Sequence, residues 1–149
     1  MSNLDQAKLE KLQKQLIGNI GGAVGLLMAY MGDQASVYKV LDEIGPCSSS
    51  ELAKKSNIDP RYLTEWLSAN AALGYIGYDE KTNNFFLTPE QAAIFCKEGE
   101  QTCMQGFFQA IVSQFENCDK AVETFVSGKG REWGEHSSCL FCGTDRFFR

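Results

Sequence analysis

A single histidine, His136, and only three prolines occur in 149 residues. Without a second imidazole, no metal site built on a histidine pair can form. His136 also has no serine or cysteine partner in a nucleophile motif, so no hydrolytic set is legible. Scarce proline, with 44% hydrophobic and 22% charged residues, argues against long disorder and for a folded chain. Basic excess is missing as well: 14 Lys and Arg against 19 Asp and Glu leave a net charge of -5. That sign repels phosphate backbones and anionic lipid unless a local patch overrides it. The start, MSNLDQAKLEKLQKQ, lacks the basic run and apolar block of a secretory signal, and no export is expected.

An unbroken hydrophobic run is also absent. The stretch from Gln15 to Gly32 is uncharged, but it contains Gln15, Asn19 and the glycines 18, 21, 22, 25 and 32. It reads as a packed helix rather than a membrane span. Its GNIGGAVG segment has neither a preceding strand nor the lysine followed by serine or threonine of a P-loop, so close helix packing explains it better than phosphate binding. The six cysteines, at 47, 96, 103, 118, 139 and 142, lie in a chain with enough core to need no staples. Reduced thiols in a cytoplasmic protein are expected.

Periodicity then divides the chain. Leu9, Leu12, Leu16, Ile20, Ala23, Leu27 and Tyr30 step by three and four, predicting one helix from Asp5 to Met31 with Gly32 as its cap. Such a helix is about 40 Å long at 1.5 Å per residue, more than a small domain covers by itself. Segment 1–32 is therefore assigned as a packing or dimerisation helix. Segment 33–98 reads as a winged helix. Asp33 is expected to cap its first helix, Ser48 and Glu51 form a capping box for the second, and Asp59-Pro60 opens the third. That third helix is expected to bury Tyr62, Leu63, Trp66, Leu67, Ala69 and Leu73 and to expose Arg61, Thr64, Glu65, Ser68 and Asn70. Tyr75–Tyr78 and Phe85–Leu87, split by DEKTNN, predict a β-hairpin, and Thr88 with Gln91 forms a second box. Segment 99–127 holds two further helices, around 104–115 and 120–126. Segment 128–149, aperiodic and glycine-containing, is assigned as an interdomain linker. The fold class is mainly α with a small β-hairpin.

Two constellations invite chemistry. His136-x-x-Cys139-x-x-Cys142 offers three zinc-type ligands, but no fourth is near, so the default reading is an apolar cysteine pair and a zinc or thiol-redox sensor is the alternative. The third helix of a winged helix often reads DNA. Here the helix and wing together, from Ser50 to Asn83, carry one net negative charge, and nucleic acid is not expected as a partner.

The run GDQASVYKVLDEIGPCSSSELAKKSNIDPRYLTEWLSANAALGYIGYDEKTNNFFLTPEQAAIF resembles the amino-terminal winged-helix domain that precedes the catalytic domain of class I S-adenosylmethionine-dependent methyltransferases. SSELAKKSNIDPRYLTEWL, GYIGYD and FFLTPEQA carry the likeness, and the long first helix and closing GTDRFFR extend it over most of the chain. Gln34, Ala35 and SSCLFC depart from the family's usual residues. The resemblance implies a dimerisation and substrate-covering module of a small-molecule methyltransferase, non-catalytic by itself. It implies no cofactor in this chain, S-adenosylmethionine in the full-length enzyme, and a homodimer or the following catalytic domain as partner. Trp133, His136, Phe147, Phe148 and Arg149 would line a substrate cleft. A winged-helix regulator acting through DNA or protein is the other reading.

Overall fold

A computed structural model describes residues 4–149. Its first helix, α1 (Gln6–Gln34), starts at Asp5, whose carboxylate accepts from the Lys8 amide at 3.2 Å. It runs past the expected stop at Gly32 because that glycine is a contact. A Cβ there would lie 2.2 Å from the Trp66 ring and 2.5 Å from Tyr38. Gly25, Ala29 and Gly32 form the buried edge of α1. The turn into α2 (Val37–Ile44) is made by Ser36 at φ 57°, and Asp33 does not cap α2 as expected, its carboxylate being used elsewhere.

Helices α3 (Ser49–Ser56) and α4 (Pro60–Ala72) complete the three-helix unit. Ser48 and Glu51 make both bonds of the capping box, so two orphan amide donors are satisfied within four residues. Asn57, at φ 55°, ends α3, and Asp59 caps α4 by accepting from the Arg61 and Tyr62 amides. The wing is β1 (Gly77–Asp79) paired antiparallel with β2 (Asn84–Phe86), Tyr78 opposite Phe85. Cys47 bridges to Phe85 with mutual backbone bonds of 3.0 and 2.8 Å, tying the wing to the α2–α3 turn.

The α4 stripe needs three corrections. Tyr62 is 69% exposed and Leu73 also reaches solvent, while Asn70, expected outside, is fully buried. Asn70 accepts from the Tyr38 hydroxyl at 2.6 Å and donates to the Trp66 carbonyl at 2.8 Å. A buried amide with both ends occupied carries little of the desolvation penalty that pushes asparagine to surfaces. Burial drives the Tyr38 pKa upward and keeps this hydroxyl a donor.

An aromatic line crosses the core. Trp66 meets Tyr38 edge-on at 5.0 Å, Tyr38 stacks on Phe95 at 4.6 Å, and Phe95 reaches Phe108 at 5.6 Å. It joins α4 to α5 (Pro89–Phe95) and to α6 (Gln105–Glu116), so the helices after the wing share one core with it. Helix α7 (Cys118–Ser127) buries none of its residues. Segment 128–149, expected to be irregular, contains a 3-10 turn (Trp133–Glu135) and helix α8 (Ser138–Phe148). Helix α8 docks on α6 through Gly143 and Gly106. A Cβ on Gly143 would sit 2.6 Å from the Ala110 amide nitrogen, and one on Gly106 would sit 2.5 Å from the Gly143 carbonyl. Because glycines rather than a leucine stripe make this seam, hydrophobic periodicity did not reveal it.

Candidate functional site

The five residues assigned to a cleft fall into two groups. Trp133, 64% exposed on the 3-10 turn, lies 5.3 Å from the His136 ring and 5.3 Å, edge-on, from Phe141. Phe147 packs on Phe107 at 5.2 Å, Phe148 stands exposed beside it, and Arg149 pairs with Asp145 one turn back. Helix α8 holds the two groups at opposite ends, about 15 Å apart by helical rise. The His136 Nδ1 lies 3.2 Å from Arg131 Nη2. A guanidinium has no acceptor, so that ring nitrogen takes the acceptor role.

His136, Cys139 and Cys142 do not form a ligand set. Among the described residues no group of three histidine, cysteine, aspartate or glutamate side chains is placed to hold a metal ion. Cys139 instead faces the Gln109 carbonyl at 3.9 Å, and all six cysteines are free thiols. Burial pushes the thiols of Cys47 and Cys103 up and that of Cys96 up to about 12, opposite to what a reactive or metal-binding thiolate needs.

On the winged-helix face, the Thr64 and Ser68 hydroxyls are turned back onto the carbonyls of Pro60 and Thr64, at 2.7 and 2.8 Å. At the wing, Asp79 accepts from the Lys81 amide and the Thr82 hydroxyl, which hold its carboxyl below the usual aspartate range. The wing thus presents a carboxylate where a DNA reader would offer cations to phosphate.

Sequence reasoning missed the most connected polar cluster. Asp33, with a side chain 4% exposed, is clamped by Arg146 of α8 through Nη1 at 2.9 Å and Nη2 at 3.0 Å. Gln105 donates to the same carboxylate at 2.7 Å. Arg146 also reaches Glu98 at 2.7 Å and the Gln109 side-chain carbonyl at 2.9 Å. The Arg146 guanidinium holds the Glu98 carboxyl below the ordinary range, and Asp33 raises the pKa of Arg146. The one available signal was Asp33 itself, the first charge after the uncharged run from Gln15. The cluster walls a cleft of about 460 Å³ that Tyr38, Lys39 and Lys97 also line.

The other prominent feature is apolar. Leu12, Leu16, Ile17, Ile20, Val24 and Leu27 of α1 are all exposed. Beside Val24 and Leu27 runs an apolar groove of about 250 Å³, completed by Ala23, Val112 and Phe115. By length and composition α1 is also sufficient to cross a membrane, with a mean hydropathy of 1.2 over its most apolar window. Its C-terminal part is packed in the core described above.

Comparison with known proteins gives these features a context. No curated protein matches the sequence. Among solved structures, PigF with SAH superposes with a TM-score of 0.68 at 14% identity, covering 91% of this chain and 43% of that one. Human N-acetylserotonin methyltransferase in complex with SAM gives 0.66 at 14% identity over 98% of this chain and 43% of its own. The dimethyltransferase RosA from Streptomyces davawensis gives 0.58 at 15% over 98% and 44%. At these identities the likeness is one of fold, and this chain spans less than half the length of each. The Rv2258c-like winged HTH domain matches over residues 22–97, just over half of the sequence, and the chain belongs to that family.

Proposed function

We propose that this chain is the N-terminal dimerisation and substrate-covering module of an S-adenosylmethionine-dependent small-molecule methyltransferase, without catalytic activity of its own. The observation that carries the reading is the exposed apolar edge of α1, from Leu12 to Leu27, above a groove between α1 and α6. Burying apolar surface is worth roughly 25 cal/mol per Å², and a solvated stripe of six aliphatic side chains is a surface awaiting a partner. A second copy of α1 has the matching chemistry. Gly18, Gly21 and Gly22 lie on the same stretch, and a Cβ at any of them would meet nothing within 4 Å, so another backbone has room to approach.

The fold likeness to methyltransferases with SAM or SAH supports the class of enzyme. In this reading S-adenosylmethionine belongs to a catalytic domain outside the residues described here, the full protein works in the cytoplasm, and no membrane or nucleic acid is a partner. Trp133, His136, Phe147, Phe148 and Arg149 remain the candidates for the covering surface. The bonded-back hydroxyls of α4 and the acidic wing weigh against the DNA-reading alternative. Titration calorimetry of S-adenosylmethionine into the chain tests the division of labour. No heat of binding is expected, and saturable binding would overturn it.

A further inference from the structure

The segment Gly128-Lys129-Gly130-Arg131 folds beside the helix it follows. Gly128, at φ 69°, ends α7, and the Ser127 hydroxyl accepts from the Lys129 amide at 3.2 Å, which holds the turn. Between this segment and α7 lies a cleft of about 510 Å³ that none of the roles above uses. Lys120, Lys129 and Arg131 line it, and among the described residues none of the three forms an ion pair. The cleft beside Asp33 differs, because its Arg146 and Lys97 are held by carboxylates. Arg131 meets His136 Nδ1 at 3.2 Å and the Glu135 carbonyl at 3.5 Å, both through Nη2. Its Nε is buried and has no hydrogen-bond partner among the described residues. A buried donor on a charged group that makes no hydrogen bond is costly, and an acceptor bound beside it removes that cost.

We propose that this cleft binds phosphate, free or carried on a small polar molecule, with Arg131 and Lys129 as its principal cations. Three cations against the carboxylates of Glu123 and Glu135 leave one surplus positive charge here, in a chain whose net charge is -5. Glu135 is partly committed, its carboxylate accepting from the Glu132 amide at 3.1 Å. Phosphate suits the site better than a carboxylate ligand because it brings more charge and enough oxygens to face several donors at once. The cleft is larger than one ion, and no aromatic or aliphatic side chain lines it, unlike the pockets that hold apolar ligands. A phosphorylated polyol matches that lining, with Glu123 and Thr124 as acceptors for its hydroxyl groups. The site stands apart from the dimer and covering surfaces and holds whether or not the chain self-associates.

Proton–nitrogen correlation NMR of the full chain, titrated with inorganic phosphate and with glycerol phosphate at constant pH and ionic strength, tests it. Saturable shifts are expected at the amides of Lys129, Gly130 and Arg131 and at the Arg131 side-chain Nε–H, with glycerol alone causing none. Tighter binding of glycerol phosphate assigns a phosphorylated metabolite, and equal or weaker binding assigns the free ion. R131M is expected to weaken both ligands at least tenfold and K129M at least threefold. K39M, in the cleft beside Asp33, should leave both affinities within twofold. Should R131M fail to fold, K129M, which alters an exposed side chain, decides. The site is overturned if the shifts rise without saturating, if sodium chloride reproduces them, or if the folded variants bind as the unmodified chain does.

Discussion

From Gly25 onward α1 sets Gly25, Ala29 and Gly32 against Tyr75, Tyr38 and Trp66, whereas the preceding turns hold Leu16, Ile17 and Ile20 in solvent. The run from Gln15 to Gly32 is uncharged and rich in glycine throughout, yet its glycines play different parts. At Gly32 the missing side chain lets an indole lie on the helix backbone, and Trp66 Nε1 then donates to the Met28 carbonyl at 2.9 Å. At Gly18, Gly21 and Gly22 nothing among the described residues uses the space. Each helical glycine costs about 1 kcal/mol relative to alanine, and in the first half no internal contact offsets that. Composition alone does not separate a packed glycine from an unpartnered one; the neighbour does.

Substitutions can break this contrast. The largest effect is expected from W66A, which empties the seam behind Gly32 and removes the indole donor from the Met28 carbonyl. A loss of about 3–5 kcal/mol in urea unfolding is expected, as for other buried tryptophans. G32A forces a methyl group into the Trp66 and Tyr38 rings and should destabilise by about 1–3 kcal/mol. G21A, made in an I20K background so that a single chain is measured, should do the reverse and stabilise by about 1 kcal/mol. Equal signs for G32A and G21A would erase the distinction between the halves. A smaller effect sharpens the account at the other end of the chain. The folded Glu98 pKa lies below its ordinary value because of Arg146. Its contribution is therefore present above the ordinary glutamate range and lost as pH falls through the lower folded value. E98Q should flatten the acid side of the stability profile in thermal melts between neutral and acidic pH.

Local chemistry was legible in the sequence and distant partnership was not. The boxes Ser48–Glu51 and Thr88–Gln91 close within four residues, so residue type and spacing define them, and both formed as read. The hairpin followed from two aromatic runs flanking turn residues, its strands shifted by one or two positions. Asn70 was misplaced because its partner, Tyr38, lies 32 residues away and no local rule links them. The Asp33–Arg146 pair spans 113 residues, and Asp33 had a ready local explanation as a cap. Helix α8 escaped notice because its docking face is glycine. Of the proposed cleft residues, sequence position supplied the neighbourhood, while the two ends of α8 set their grouping.

The exposed half of α1 makes the central claim directly measurable by light scattering of the purified chain. The account predicts a mass of two chains, falling to one in I20K with the thermal stability of the fold changed by less than about 0.5 kcal/mol, as for a surface substitution. A single-chain mass for the unmodified protein across the micromolar range would contradict it.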